Sequence, residues 1–202
     1  MKMYFYYGAM GSSKTANALM TRFSWEDKGK KVALLKPSID NRDGVDIVKS
    51  RAGLMAQAIL IYPDSKIREV LPDPVEEYDN LIVDEAQFLT KEQVDELRDI
   101  VDKGTFVMCY GLKADFMGNL FEGSKRILEL ADSLREIVTM CPCGRKAIMN
   151  ARYSGNKILY EGEQVLVGGN ESYIALCHQC YQKGTISWDE VNTTNMERET
   201  KE

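Results

Sequence analysis

The segment Gly8-Ala9-Met10-Gly11-Ser12-Ser13-Lys14-Thr15 fits the template G-x-x-x-x-G-K-[ST] at every defined position except Ser13, which stands where the second glycine belongs. It comes directly after the apolar run Met3 to Tyr7 and precedes a stretch free of Gly and Pro, Ala16 to Lys28, in which Leu19, Met20 and Phe23 are spaced as a helical face. A strand opening through such a loop into a helix is a phosphate cradle. Successive backbone N–H groups surround the anion, Lys14 reaches the β/γ-phosphates and the Thr15 hydroxyl is placed for Mg²⁺. The helix N-terminus adds a favourable dipole. A Gly/Ser-rich turn before a helix is common in itself; the strand, the lysine and the threonine together make the nucleotide reading.

A second signal is Leu81-Ile82-Val83-Asp84-Glu85-Ala86-Gln87-Phe88. An apolar strand ending on adjacent acids can deliver one carboxylate to Mg²⁺ opposite a phosphate loop. Neighbouring residues of a strand point apart, so Glu85 is left to face an acceptor. The bland alternative is a solvated acidic turn. The third signal is Cys141-Pro142-Cys143 with Cys177-His178-Gln179-Cys180, two cysteine pairs far apart in sequence, as in a tetrahedral Cys₄ zinc site. The first pair is one residue shorter than the usual knuckle. Four protein ligands leave no open position, so the site reads as structural. His178 is expected to be exposed and Cys109 to be plain core.

The elements that must carry these residues alternate through the first two-thirds of the chain. Lys31–Lys36, Ala58–Tyr62, Asn80–Asp84 and Phe106–Tyr110 read as strands. Thr90, with Gln93 at capping-box spacing, opens a helix to about Val101 whose buried face is Val94, Leu97 and Val101. Ser124 to Asp132 reads as a further helix through Ile127, Leu128 and Leu130. This pattern predicts an α/β fold with a parallel sheet flanked by helices, and ligands at the carboxyl ends of its strands. After Met140 short β-like runs, cysteines and glycines take over, with bends at Tyr153-Ser-Gly-Asn156 and Gly168-Gly169, and Asn192 to Glu202 is polar. The expected organisation is a nucleotide-binding domain over 1–140, a zinc-binding domain over 141–186 and a polar tail over 187–202.

Composition limits the partners. The chain has 202 residues, 44% of them hydrophobic, which suffices for a sizeable core. Net charge is −5, so no overall basic field invites nucleic acid. The apolar run at the amino terminus is too short for a secretory signal, and no run approaches a membrane span. Five cysteines without such a signal favour metal over disulfides, and a cytoplasmic protein is expected.

The ordered set Gly8–Thr15, Lys36-Pro37-Ser38-Ile39-Asp40-Asn41-Arg42, Asp84-Glu85-Ala86-Gln87-Phe88, Tyr110-Gly111-Leu112 with Asp115-Phe116, Gln164-Val165-Leu166-Val167-Gly168-Gly169 before Tyr173, and Cys177-His178-Gln179-Cys180-Tyr181 resembles the zinc-containing type II thymidine kinases. The resemblance runs from about Met3 to Lys183. It implies transfer of a phosphoryl group from ATP to the 5′-hydroxyl of thymidine, with deoxyuridine as a possible second acceptor, on a P-loop domain followed by a zinc-held lasso, in a homotetramer. It makes Glu85 the general base and Thr15 and Asp84 the Mg²⁺ residues. It gives ATP or its phosphates to Gly8 through Thr15, Asp40, Arg42, Asp84 and Gln87. It gives the nucleoside to Phe88, Leu112, Phe116, Phe121, Gln164 through Gly168, and Tyr173. Zinc goes to Cys141, Cys143, Cys177 and Cys180. Ser13, the single residue Pro142 between the first cysteines, and His178 depart from the family pattern.

Two other readings are open to the same residues. Asp84-Glu85-Ala86-Gln87 also matches the D-E-x-x box of helicases, which need two recombinase-like domains where the length before the cysteines allows one. A non-catalytic nucleotide-binding module with a zinc ribbon would treat Ser13 as a sign of decay; the joint presence of Lys14, Thr15, Arg42, Asp84 and Glu85 argues against it.

Overall fold

A computed structural model of the chain describes residues 1–40, 44–165, 172–184 and 186. The chain divides into two compact units. The first is Met1–Gly8, Ser13–Lys113 and Leu120–Ile137; the second is Ala9–Ser12, Ala114–Asn119 and Val138–Glu202.

The first unit is built on β1 (Met3–Tyr7), β2 (Val32–Pro37), the small hairpin β3 (Ile47–Lys49) and β4 (Met55–Gln57), then β5 (Ile59–Ile61), β6 (Asn80–Val83), β7 (Phe106–Gly111) and β8 (Ser133–Glu136). Six of these form one sheet in the order β5-β2-β6-β7-β1-β8, with every neighbouring pair parallel. The strand before the phosphate loop and the strand before the acids are therefore not neighbours: β7 lies between them. Tyr7 is in register with Gly111, and Val83 with Cys109, so all three strands finish at the same edge. Loops leaving β1 and β6 are thus set side by side at about two strand spacings, some 10 Å.

Alternation along the strands makes two cores. Met3, Phe5, Leu35, Leu81, Val83, Val107 and Cys109 turn to the face covered by α3 (Lys91–Asp102) and α4 (Glu122–Leu130), meeting Val94, Leu97, Val101 and Ile127. Leu34, Ile82, Met108 and Tyr110 turn to the other face, where α1 (Lys14–Glu26) contributes Ala18 and Leu19. Tyr6 stacks on Tyr110 with ring centroids 4.7 Å apart, and the Tyr110 hydroxyl is 3.1 Å from that of Thr21. On the α3/α4 face Cys109 is fully buried, and desolvation pushes its thiol up to about 12, as expected of an inert core residue.

The capping box of α3 forms as its spacing predicts, with Thr90 and Gln93 each accepting the other's backbone N–H. Helix α1 departs from expectation. It starts at Lys14, not Ala16, and buries Lys14, Ala18 and Leu19, whereas Met20 and Phe23 are 61% and 70% exposed. The reason is angular. At 100° per residue, Ala18 and Leu19 centre the buried arc, and Met20 and Phe23 fall beyond its edge. The edge strand β8 and the hairpin β3–β4 carry no apolar alternation that would announce them; Ser133-Leu-Arg-Glu is mostly exposed.

The second unit contains an antiparallel sheet in the order β10-β9-β11, formed by β9 (Met149–Ser154), β10 (Lys157–Leu159) and β11 (Tyr173–Leu176), followed by the short α5 (His178–Gln182). The bend at Tyr153–Asn156 is a two-residue hairpin turn with Gly155 at φ +59°, a conformation glycine adopts without strain. The bend at Gly168-Gly169 and the polar tail lie outside the described residues. Among the described residues no helix is long and apolar enough to cross a membrane.

One glycine fixes the join between α4 and the turn after β6. A Cβ on Gly123 would stand 2.7 Å from the carbonyl oxygens of Ala86 and Leu89 and 2.9 Å from that of Gln87, all backbone atoms. Gly123→Ala is therefore expected to destabilise by about 1–3 kcal/mol, the usual cost of overpacking, because no flexible side chain can yield. Urea denaturation at equilibrium measures this; an unchanged midpoint would mean that α4 can slide without cost.

Candidate active site and metal centre

The phosphate loop begins where β1 ends. Gly8 and Ser13 to Thr15 belong to the first unit and Ala9 to Ser12 to the second. Lys14 is 9% exposed and its Nζ donates to the Gly8 carbonyl at 3.1 Å, so the ammonium is folded back over the start of the loop. Gly11 is at φ +75° and Ser13 at φ +61°, ψ +28°. Ser13 thus takes the left-handed conformation that the template's glycine takes freely, and its side chain provides no cap to α1. In the second unit the Ser12 N–H donates to the Ala9 carbonyl at 3.2 Å, and the Met10 N–H donates to Asn150 Oδ1 at 2.8 Å.

At the end of β6, Asp84 is 4% exposed, and it sits in the same unit as Lys14 and Thr15. Desolvation by burial holds its carboxyl above the ordinary range, and the charge of Glu85 pushes the same way. A hydrogen bond with the Thr15 side chain and the Lys14 charge pull it back. A carboxylate so placed is short of positive charge, and with the Thr15 hydroxyl beside it the pair offers the hard oxygen donors that Mg²⁺ takes. The donor set fits that ion.

Glu85 comes next at φ +51°, ψ +36°, left-handed for a residue with a side chain, and this reverses the chain into the single 3₁₀ turn Ala86–Phe88. Strain of that kind is worth of order 1–3 kcal/mol and persists only where surroundings impose it. It ends the strand's alternation at Glu85. Gln87, 2% exposed, donates from Nε2 to Glu85 Oε2 at 2.5 Å and accepts the Leu112 N–H at 3.0 Å. Phe88 meets Phe121 edge to face at 5.7 Å, and Ser124 Oγ donates to the Leu112 carbonyl at 2.5 Å.

Several expected residues lie outside the described ones: Arg42, and Leu166, Val167 and Gly168. Asp40 is described; it lies 3.7 Å from Nζ of Lys36, a lysine with no exposed surface that also donates to the Ile47 carbonyl at 2.9 Å. In the second unit Phe116 is 1% exposed with the Arg152 guanidinium 3.8 Å above its ring. Arg152 Nε donates to the Tyr173 hydroxyl at 2.8 Å, and Gln164 Nε2 donates to Asp115 Oδ2 at 3.0 Å. Val165 is half-buried. Sequence reasoning missed Lys36, Asn150 and Arg152. The last two had a legible signal: polar residues two apart in a short strand share a face. That face takes up Met10 through Asn150, which also donates to the Ala114 carbonyl at 2.8 Å, and Phe116 through Arg152.

The sulfurs of Cys141, Cys143, Cys177 and Cys180 all lie within 4.8 Å of one another. Cys143 is 3.4 Å from Cys141 and 3.7 Å from Cys177. A tetrahedron with Zn–S bonds of about 2.3 Å has edges of about 3.8 Å, so the set fits zinc. The short first pair is accommodated by a tight turn. Gly144 N–H donates to the Cys141 carbonyl at 2.8 Å with Gly144 at φ +82°, and Cys141 N–H donates to the Arg145 carbonyl at 2.7 Å. The second pair starts α5, where Cys180 N–H points to Cys177 Sγ at 3.5 Å. Burial pushes the Cys141 and Cys180 thiols up, whereas the Arg145 backbone N–H brings Cys143 down to about 6. His178 is exposed and outside the cluster, as expected.

Comparison with known proteins agrees with this chemistry. Residues 1–181 match the family model described as thymidine kinase. The thymidine kinase of Vibrio vulnificus is 42% identical over 186 residues, covering 90% of this chain and 97% of that one. That of Lactiplantibacillus plantarum is 44% identical over 182 residues, covering 89% and 95%. Among solved structures, the Pif1 helicase of Candida albicans is 16% identical at a TM-score of 0.42 over 70% of this chain and 37% of that one, a likeness too loose to carry any reading. With a phosphate loop, a buried acid beside it, a four-cysteine cluster and a family match along nearly its whole length, the chain belongs to the thymidine kinase family.

Proposed function

We propose that this protein phosphorylates the 5′-hydroxyl of thymidine with ATP and Mg²⁺, in the salvage of DNA precursors. The observation that carries the proposal is the gathering of Lys14, Thr15, Asp84 and Glu85 in one unit at the edge where β1 and β6 end. A decayed binding module would have no reason to keep Asp84 buried against its own proton affinity, or Glu85 in a strained conformation.

In this reading the loop amides and Lys14 hold the β- and γ-phosphates, with Asp40 and Arg42 assigned to the nucleotide as well. Thr15 and Asp84 hold Mg²⁺, which neutralises charge on the phosphates when bound. Glu85 accepts the proton of the 5′-hydroxyl as its oxygen forms a bond to the γ-phosphorus. The bond from that phosphorus to the β-phosphate bridging oxygen breaks, giving the nucleoside monophosphate and ADP. Positioning and charge stabilisation supply most of the acceleration. Within the first unit we assign Phe88, Leu112 and Phe121 to the nucleoside; within the second, Phe116, Gln164 to Gly168, and Tyr173. The four cysteines hold a structural zinc. Free cysteines suit a reducing cytoplasm, and a homotetramer is inferred from the family resemblance.

Incubation with radiolabelled ATP, Mg²⁺ and each natural nucleoside should yield thymidine monophosphate; no transfer to thymidine under any condition ends the proposal. Glu85→Gln should lower kcat by about 10²–10⁴ with little change in thymidine binding. Turnover within a few-fold of the parent would remove Glu85 as the base.

One zinc per chain is expected by metal analysis, lost in Cys177→Ser and kept in Cys109→Ser. Because only the folded chain brings the four sulfurs together, zinc binding favours the folded state, and chelation should lower the unfolding temperature. Full zinc content in Cys177→Ser would refute the four-cysteine site.

Ser13→Gly exchanges left-handed strain of about 1–2 kcal/mol for glycine's greater chain entropy of about 0.5–1 kcal/mol. Thermal stability should therefore hold or rise slightly, and the KM for ATP should stay equal or fall. A KM several-fold higher would assign the Ser13 hydroxyl a role in the nucleotide complex.

A further inference from the structure

Gln87 is placed as a brace between two parts of the site. The Leu112 N–H can bond only to an oxygen, so it fixes Gln87 Oε1 toward β7 and leaves Nε2 facing the Glu85 carboxylate. Gln87 itself is 2% exposed, so the amide is held inside the protein at the inner end of both bonds. The approach also depends on Gly111 at the end of β7. A Cβ there would stand 2.6 Å from Gln87 Oε1 and 3.1 Å from its backbone nitrogen. The chain thus omits a side chain where the brace must pass, and it commits a buried amide to a single carboxylate that is held in a left-handed backbone.

We propose that Gln87 is a positioning residue: its amide locks the Glu85 carboxylate to the end of β7, so that the base stands ready when the nucleoside arrives. The inference rests on the reading of Glu85 as general base. It differs from a nucleotide contact in what it changes. A residue that binds ATP affects the KM for ATP, whereas a brace acts only through Glu85 and affects kcat. Misplacing a reacting group by about 1 Å can cost on the order of 10²-fold.

The test is a double-mutant cycle on the full chain, read by single-turnover transfer from radiolabelled ATP to thymidine. Gln87→Glu keeps an oxygen for the Leu112 N–H and replaces the donor to Glu85 by a second carboxylate, so that repulsion adds to the lost bond; Gln87→Leu removes both bonds without adding charge. Each should lower kcat about 10- to 100-fold with the KM for ATP within about twofold of the parent. In a Glu85→Ala background the same changes should alter the residual rate by less than about twofold, because there is no carboxylate left to hold. Gly111→Ala, which displaces Gln87 without altering it, should repeat the pattern, and Gln87→Glu remains informative should either of the others fail to fold. A fall in kcat that persists undiminished beside Glu85→Ala, or an effect confined to the KM for ATP, overturns the brace. If Glu85→Ala alone keeps kcat within a few-fold of the parent, the base itself is wrong and the brace falls with it, a result distinct from the other two.

Discussion

Asp84 is buried at the end of an apolar strand, where loss of water and the charge of Glu85 both oppose its ionised form. An ionised carboxylate is tolerated in such a place only with compensating positive charge or donors. Thr15 and Lys14 supply part of that compensation, and both stand on the loop and first turn of α1, at the start of the crossover after β1. The sheet order makes this possible. With β7 between β1 and β6 and all three strands parallel, the loop and the acid leave the same edge of the sheet two strand spacings apart. Strand β7, which carries no side chain of the proposed phosphoryl transfer, sets that spacing.

At the turn after Asp84 the backbone divides labour between adjacent acids. Were β6 to continue, Glu85 would simply alternate to the other face. Instead the left-handed turn at Glu85 and the 3₁₀ turn beyond it send the chain under α4, and Gly123 lets the helix settle on the carbonyls of Ala86, Gln87 and Leu89. The strain at one residue is sustained by packing at three others. Ser124 of α4 closes the same corner by donating to the Leu112 carbonyl, just beyond β7. The two backbone groups of Leu112 thus hold Gln87 on one side and Ser124 on the other.

Much of this architecture is legible in the sequence. The apolar runs ending on Gly8 and Asp84, and the capping box at Thr90, are local signals whose physical causes act within a few residues, and the structure reproduces them. The cysteine cluster is legible in a different way, since two close-spaced cysteine pairs far apart in sequence are the pattern of a tetrahedral metal site, and their four sulfurs do converge. Other features depend on tertiary partners. Met20 and Phe23 fit a helical face by spacing, but which arc of α1 is buried is decided by the sheet beneath it. Strand β8 pairs with β1 through backbone groups alone, so its side chains carry no sign of it. Lys36 looks like a solvated lysine next to a proline until the carbonyl of Ile47 folds over it. Glycines 111 and 123 are ordinary in the sequence and become necessary only when Gln87 and the 86–89 turn arrive beside them.

The middle of the phosphate loop belongs to the unit that carries the four cysteines. Ala9 to Ser12 group with the residues after Val138, and Ala9 packs in the same apolar cluster as Cys141, Cys177 and Cys180. Asn150 reaches from β9 to the Met10 N–H and, through its other end, to the Ala114 carbonyl. The three thiols in that cluster are buried, and burial raises the proton affinity of two of them, so zinc binding would have to release their protons. Zinc would tie the turn before β9, the strand of Asn150 and Arg152, to the start of α5. Through Asn150 and Arg152 the strand beside the cysteine cluster reaches the Met10 amide in the loop, the Phe116 ring and the Tyr173 hydroxyl.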